Sequence, residues 1–111
     1  MKNNVFFSIV ITTYNSSKYI LKTIRSLERQ TYKNYEIIIV DDFSSDNTIE
    51  LLKSKKLKII ENTNNFGGPG VGRNKGLEEA NGDWIIFLDA DDFWKKDALK
   101  IFQQNINKNT D

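Results

Sequence analysis

The chain predicts an α/β fold of three layers, with helices on both faces of a mostly parallel sheet. Three observations carry this. Apolar, β-branched runs of four to eight residues alternate with amphipathic segments, strand then helix, four times over. Such alternation implies parallel strands joined by right-handed crossovers. Two of the strand-like runs end abruptly in acids, Asp41-Asp42 and Asp89-Ala90-Asp91-Asp92. In open α/β sheets, ligands gather beside the carboxyl ends of strands. Finally, 39% hydrophobic residues in a chain of 111 can fill a real core. Residues 1–111 are therefore read as a single domain.

The elements follow in order. Phe6 to Thr13 reads as a strand, because β-branched and aromatic residues suit a pleated surface. Tyr14-Asn15-Ser16-Ser17 is a turn, and Ser16 or Ser17 is expected to cap the next helix. Ile20, Ile24 and Leu27 share one face of that helix, which ends near Gln30, while Lys18, Lys22, Arg25 and Arg29 point elsewhere. Glu36 to Val40 is a second strand, apolar enough to be buried on both faces. Ser45 or Asp46 is expected to cap a short helix carrying Ile49, Leu51 and Leu52. Lys58 to Glu61 is a third, shorter strand. Asn62 to Gly72 reads as a loop, with Gly67, Gly68 and Gly70 around Pro69. A helix then runs to about Ala80, with Leu77 and Ala80 inward. Trp84 to Leu88 has the composition of a buried strand. A last helix, from about Lys96 to Ile106, is expected to bury Leu99, Ile101 or Phe102, and Ile106. The polar end, Asn105 to Asp111, reads as a cut made after a helix.

Composition excludes several classes. There is no cysteine and no histidine, so disulfides, thiolate zinc sites and serine-histidine triads are impossible within this chain. Any metal must be held by oxygen, which favours Mg²⁺, Mn²⁺ or Ca²⁺. A formal net charge of +1 argues against a nucleic-acid partner. No apolar run approaches the ~20 residues that span a bilayer. Met1-Lys2-Asn3-Asn4 leads straight into a strand and is not a signal peptide, so a cytoplasmic location is expected.

Three segments are expected to converge at one sheet edge. Thr12-Thr13-Tyr14-Asn15 offers hydroxyls and a stacking ring. Asp41-Asp42 offers carboxylate acceptors for the N–H groups of a nucleobase. Asp89-x-Asp91-Asp92 suits a divalent cation carrying a diphosphate. The Gly-rich loop and Arg73 add donors for phosphate. Each piece alone also has an ordinary reading. Asp41-Asp42 can simply start a turn. Tyr14 can be an exposed loop aromatic, and Arg73 a solvated helix residue. The glycines match neither a Walker loop nor Gly-x-Gly-x-x-Gly. A calcium helix-loop-helix site needs Gly and Glu where this chain has Trp94 and Lys100. A haloacid-dehalogenase-like phosphatase carries Asp-x-Asp on its first strand, and a response-regulator receiver has its acidic pair after the first strand.

The segments taken together, in order, resemble a known family. Ser8-Ile9-Val10-Ile11-Thr12-Thr13-Tyr14-Asn15, Gln30-Thr31-Tyr32 and Glu36-Ile37-Ile38-Ile39-Val40-Asp41-Asp42-Phe43-Ser44-Ser45-Asp46 look like the start of family-two inverting glycosyltransferases. So do Gly72-Arg73-Asn74-Lys75-Gly76, Gly82-Asp83-Trp84-Ile85 and the Asp-x-Asp-Asp. The resemblance spans about residues 6–103. It implies a GT-A fold, a Rossmann-like nucleotide-diphospho-sugar transferase half with strand order 3-2-1-4. It implies a nucleotide-sugar donor of the UDP type, a glycan or lipid-linked acceptor, and Mn²⁺ or Mg²⁺. On this resemblance Thr12 and Tyr14 line the nucleobase pocket and Asp42 accepts from the base. Arg73 lies near the base or diphosphate, Asp89 approaches the ribose or metal, and Asp91 ligates the metal. Two positions depart from the family pattern. Thr12 stands where many members have Pro, and Val71-Gly72 where many have two alanines, a change expected to loosen the start of the helix. Family members are longer, and their catalytic base lies beyond the Asp-x-Asp. The chain is therefore read as a donor-binding part, inactive alone, with acceptor site, base and any peripheral contact with the inner membrane face lying outside it. The readings left beside this one are a non-catalytic nucleotide-binding module and a plain α/β interaction domain.

Overall fold

The computed structural model describes residues 4–109. The elements are β1 (Phe7–Thr13), α1 (Ile20–Glu28), β2 (Tyr35–Asp41), α2 (Thr48–Leu52), β3 (Lys58–Glu61), α3 (Pro69–Glu79), β4 (Trp84–Asp89) and α4 (Ala98–Asn109). The sheet order is β3-β2-β1-β4 and every pairing is parallel, as the sequence predicts. Met1 to Asn3 and the last two residues of the polar end, Thr110 and Asp111, lie outside the described residues. Among the described residues no helix is long and apolar enough to cross a membrane.

Period-two alternation divides the sheet into two faces. Phe7, Ile9 and Ile11 of β1 and Ile37 and Ile39 of β2 pack with Ile20, Ile24 and Leu27 of α1, Leu52 of α2 and Leu99 of α4. Val10, Ile38 and Val40 point to the opposite face, where Ala80 joins them beside α3. The two central strands are thus buried on both sides. Their carboxyl ends stand together at one edge.

Several expectations are corrected. α3 begins at Pro69, inside the expected loop, because proline's fixed φ and missing N–H suit the first helical turn. Its inward stripe is Gly72 and Gly76, while Leu77 is 52% exposed. A Cβ at Gly76 would lie 2.3 Å from Val10 Cγ1, and one at Gly72 would lie 2.8 Å from Thr12 Cγ2. The helix backbone therefore sits directly on the sheet. The helix runs intact through Gly72, and the two departures at positions 12 and 72 are in contact with each other.

β4 is less buried than its composition suggests: Leu88 alone is buried, and Trp84 and Phe87 are exposed. It is an edge strand whose partner in the described sheet is β1. In α4, Leu99 is buried and Ile106 packs against the core, but Ile101 and Phe102 are exposed: Ile101 lies off the stripe that those two define, and Phe102, at its border, lies against the Trp94 ring. The serine cap of α1 is absent. A turn at residues 17–19 intervenes, and the Ser16 carbonyl accepts from Tyr19 and Ile20 N–H. At α2 the cap position is Asn47, yet Asp46 accepts the Thr48 N–H at 3.0 Å, as the sequence reading allows.

Candidate functional site

The register of the strands assembles the site. Thr13 of β1 is the cross-strand partner of Asp41 on β2, and Thr12 is the partner of Asp89 on β4. Neighbouring strands lie ~4.8 Å apart, so all three expected segments meet at one edge.

Asp41 faces inward and is almost fully buried. Its carboxylate accepts from Thr13 Oγ1 at 2.6 Å, Ser44 N at 2.8 Å and Ser44 Oγ at 2.6 Å. These bonds fix the turn after β2, where Phe43 takes φ of 62°. A left-handed conformation costs a non-glycine residue ~1–2 kcal/mol, so the turn is over-determined by its hydrogen bonds. Asn15, at φ of 48°, ties this turn to the one after β1. Its side chain accepts from Ser45 N at 2.8 Å, and its own N–H donates to Ser44 Oγ at 2.9 Å.

Asp42 faces the other way and lines a cavity of about 340 Å³ with Thr12, Thr13, Tyr14, Asn65 and Gly67. That volume is within the range of small-ligand pockets. The Tyr14 ring is about half exposed. Asp42 accepts from Phe66 N at 2.9 Å, Gly67 N at 3.2 Å and Asn62 Nδ2 at 3.1 Å. Desolvation pushes its pKa up, but these bonds and the nearby Lys75 charge outweigh it and hold the carboxyl below the usual range. Lys75 in turn donates to Asn62 Oδ1 at 2.6 Å. Asn62, the Phe66 and Gly67 amides and Lys75 were not singled out from the sequence. The asparagine-rich run leading into the glycines was the available signal.

Asp89, Asp91 and Asp92 are all exposed, and each offers a carboxylate oxygen such that the three lie within 4.8 Å of one another. Among the described residues their one ion pair is Arg73 with Asp89, at 3.9 Å. The Arg73 guanidinium also lies 5.7 Å from the Phe87 ring centroid, placing it beside the carboxylates and not in the cavity lining. Like charges so close repel, and a hard divalent cation with oxygen ligands would relieve that repulsion. The donor set fits such an ion. Asp92, to which the resemblance gives no role, belongs to this cluster.

The model of the glycosyl transferase family 2 matches residues 8–111. The chain belongs to glycosyl transferase family 2. Among relatives of this family, the poly(ribitol-phosphate) beta-N-acetylglucosaminyltransferase TarS of Staphylococcus aureus is 38% identical over 100 residues, covering 85% of this chain and 18% of TarS. The amylovoran biosynthesis glycosyltransferase AmsB of Erwinia amylovora is 40% identical, covering 94% of this chain and 36% of AmsB. The chain thus spans well under half the length of either relative. The crystal structure of S. aureus TarS 1–349 in complex with UDP-GlcNAc superposes with a TM-score of 0.89 at 36% identity, covering 93% of this chain and 31% of that one. The chain, with its parallel 3-2-1-4 sheet, matches the fold of that part of TarS.

Proposed function

We propose that this family-2 chain holds the nucleotide and diphosphate of an NDP-sugar, of the UDP type, as the donor site of an inverting glycosyltransferase. The acceptor in this reading is a glycan or a lipid-linked sugar, and the site of action is cytoplasmic. The observation that carries the reading is the strand register, which sets the Asp42 cavity beside the carboxylate cluster through Thr12. The UDP-GlcNAc complex of the TarS neighbour supports the donor class, and the polymer-directed names of TarS and AmsB support the acceptor class.

In this reading Thr12 and the exposed face of Tyr14 line the base pocket. Asp42 accepts a base N–H. It already takes three donors, and a carboxylate has about four acceptor positions, so one remains. Arg73 leaves Asp89 to pair with diphosphate oxygens, for which a guanidinium is suited. Asp91, with Asp89 and Asp92, would hold Mn²⁺ or Mg²⁺, which when bound neutralises charge on the leaving diphosphate. The base that deprotonates the acceptor is assigned to no residue of this chain.

Calorimetric titration with UDP, with and without Mn²⁺, tests the proposal. UDP is expected to bind, and Mn²⁺ to tighten it. Absence of UDP binding under both conditions would favour the interaction-domain reading instead.

A further inference from the structure

Away from the strand ends, a second charged surface lies on α1. Lys22, Arg25 and Arg29 recur at spacings of three and four, which place them on one stripe of the helix and its C-cap, and Lys18 stands in the turn just before it. All four are exposed, whereas Ile20, Ile24 and Leu27 are buried. The acid of this helix, Glu28, is paired with Lys55 at 3.3 Å. Lys22, Arg25, Arg29 and Lys96 share one groove with Phe93 and Trp94. Lys95 adds a further cation at the adjoining groove. Among the described residues none of these basic groups forms an ion pair. Asp97, which borders the adjoining groove, is engaged by the Thr31 hydroxyl at 2.8 Å. With a net charge of only +1, this is an asymmetry of distribution and not an excess of base.

The same surface is apolar. Phe93 is 59% exposed, Ile101 54% and Phe102 45%, and Trp94 stacks obliquely on Phe102 at 5.6 Å. Lys22 Nζ lies 4.4 Å from the Phe93 ring centroid. A soluble polyanion would use the cations and leave the aromatic and aliphatic tips in water. A bilayer surface uses both, pairing cations with headgroup phosphates and taking apolar tips into the interface. We propose that this face, formed by α1, Phe93 to Lys96 of the β4–α4 link and α4, docks on an anionic lipid bilayer. The segment leading into α3, on the opposite face of the sheet, borders the Asp42 cavity, so docking leaves that cavity open. The proposal does not depend on which nucleotide the cavity takes.

Sedimentation with vesicles tests it. The chain is expected to sediment with mixed phosphatidylglycerol–phosphatidylcholine vesicles and not with phosphatidylcholine alone. Arg25→Glu with Arg29→Glu is expected to weaken partitioning at least about tenfold, given the contribution of each basic residue near an anionic surface. Phe93→Ser is expected to weaken vesicle binding several-fold while leaving binding to soluble polyphosphate unchanged. Lys95→Glu with Lys96→Glu, on a different element, is expected to reproduce the charge effect, and a thermal melt checks that each variant folds. The proposal is overturned if the parent ignores anionic vesicles. It is equally overturned if folded charge-reversed variants partition like the parent. A Phe93→Ser variant that binds vesicles undiminished would point to a soluble polyanion as the occupant.

Discussion

The two acidic strand ends of this chain differ in who satisfies them. At the end of β2 the protein supplies the partners. Asp41 is buried among the hydroxyls of Thr13 and Ser44, and Asp42 holds the amides of Phe66 and Gly67. At the end of β4, Asp89, Asp91 and Asp92 crowd together in solvent, and among the described residues their one ion pair is the long contact of Asp89 with Arg73. Carboxylates that the chain satisfies position backbone. Carboxylates that it leaves clustered keep their charge available to something from outside.

Substitutions sharpen this contrast. The largest effect on folding is expected at Asp41→Ala, which strands one buried and two half-buried donors and should cost about 3 kcal/mol in urea denaturation. A loss no greater than at a surface site would break the comparison. Asp42→Ala should cost roughly 1 kcal/mol of stability by freeing the loop, and weaken UDP binding by ~1–3 kcal/mol in calorimetry. Unchanged UDP affinity would remove Asp42 from the nucleotide site.

Asp46 allows a pH test on the β2 side. Desolvation raises its pKa, but bonds from Thr48 and Ser17 outweigh this and hold it at about 2. A depressed folded pKa gives stability that is present above the unfolded value and lost as pH falls. The loss therefore falls between 3.8 and about 2. Solvent screening at this exposed residue leaves less than about 1 kcal/mol. Asp46→Asn should flatten that limb of an acid denaturation curve, and an identical curve would contradict it. The smallest stability effect is expected at Asp91→Asn, within about 0.5 kcal/mol, because the side chain is exposed. Mn²⁺ should raise the melting temperature of the parent and not of this variant, since an ion that binds the folded state stabilises it. A variant that melts several degrees lower and keeps the Mn²⁺ effect would make Asp91 a turn residue.

The sequence by itself determined the element order, the parallel sheet and the meeting of Thr12, Asp42 and Asp89 at one edge. Strand-helix alternation and apolar runs that stop at acids are local patterns, and the topology of a parallel sheet follows from them. Tertiary structure alone decided how much each surface is used. Leu77 points outward because Gly72 and Gly76 bring the α3 backbone against Val10 and Thr12, a close approach that no apolar periodicity records. Trp84 and Phe87 are exposed because β4 closes the sheet at an edge, which composition cannot distinguish from its centre. Asp41 and Asp42 are adjacent in sequence with the same chemistry. Successive strand-end residues face opposite ways, so one is locked among hydroxyls and the other reaches the cavity, and only the assembled turn decides which.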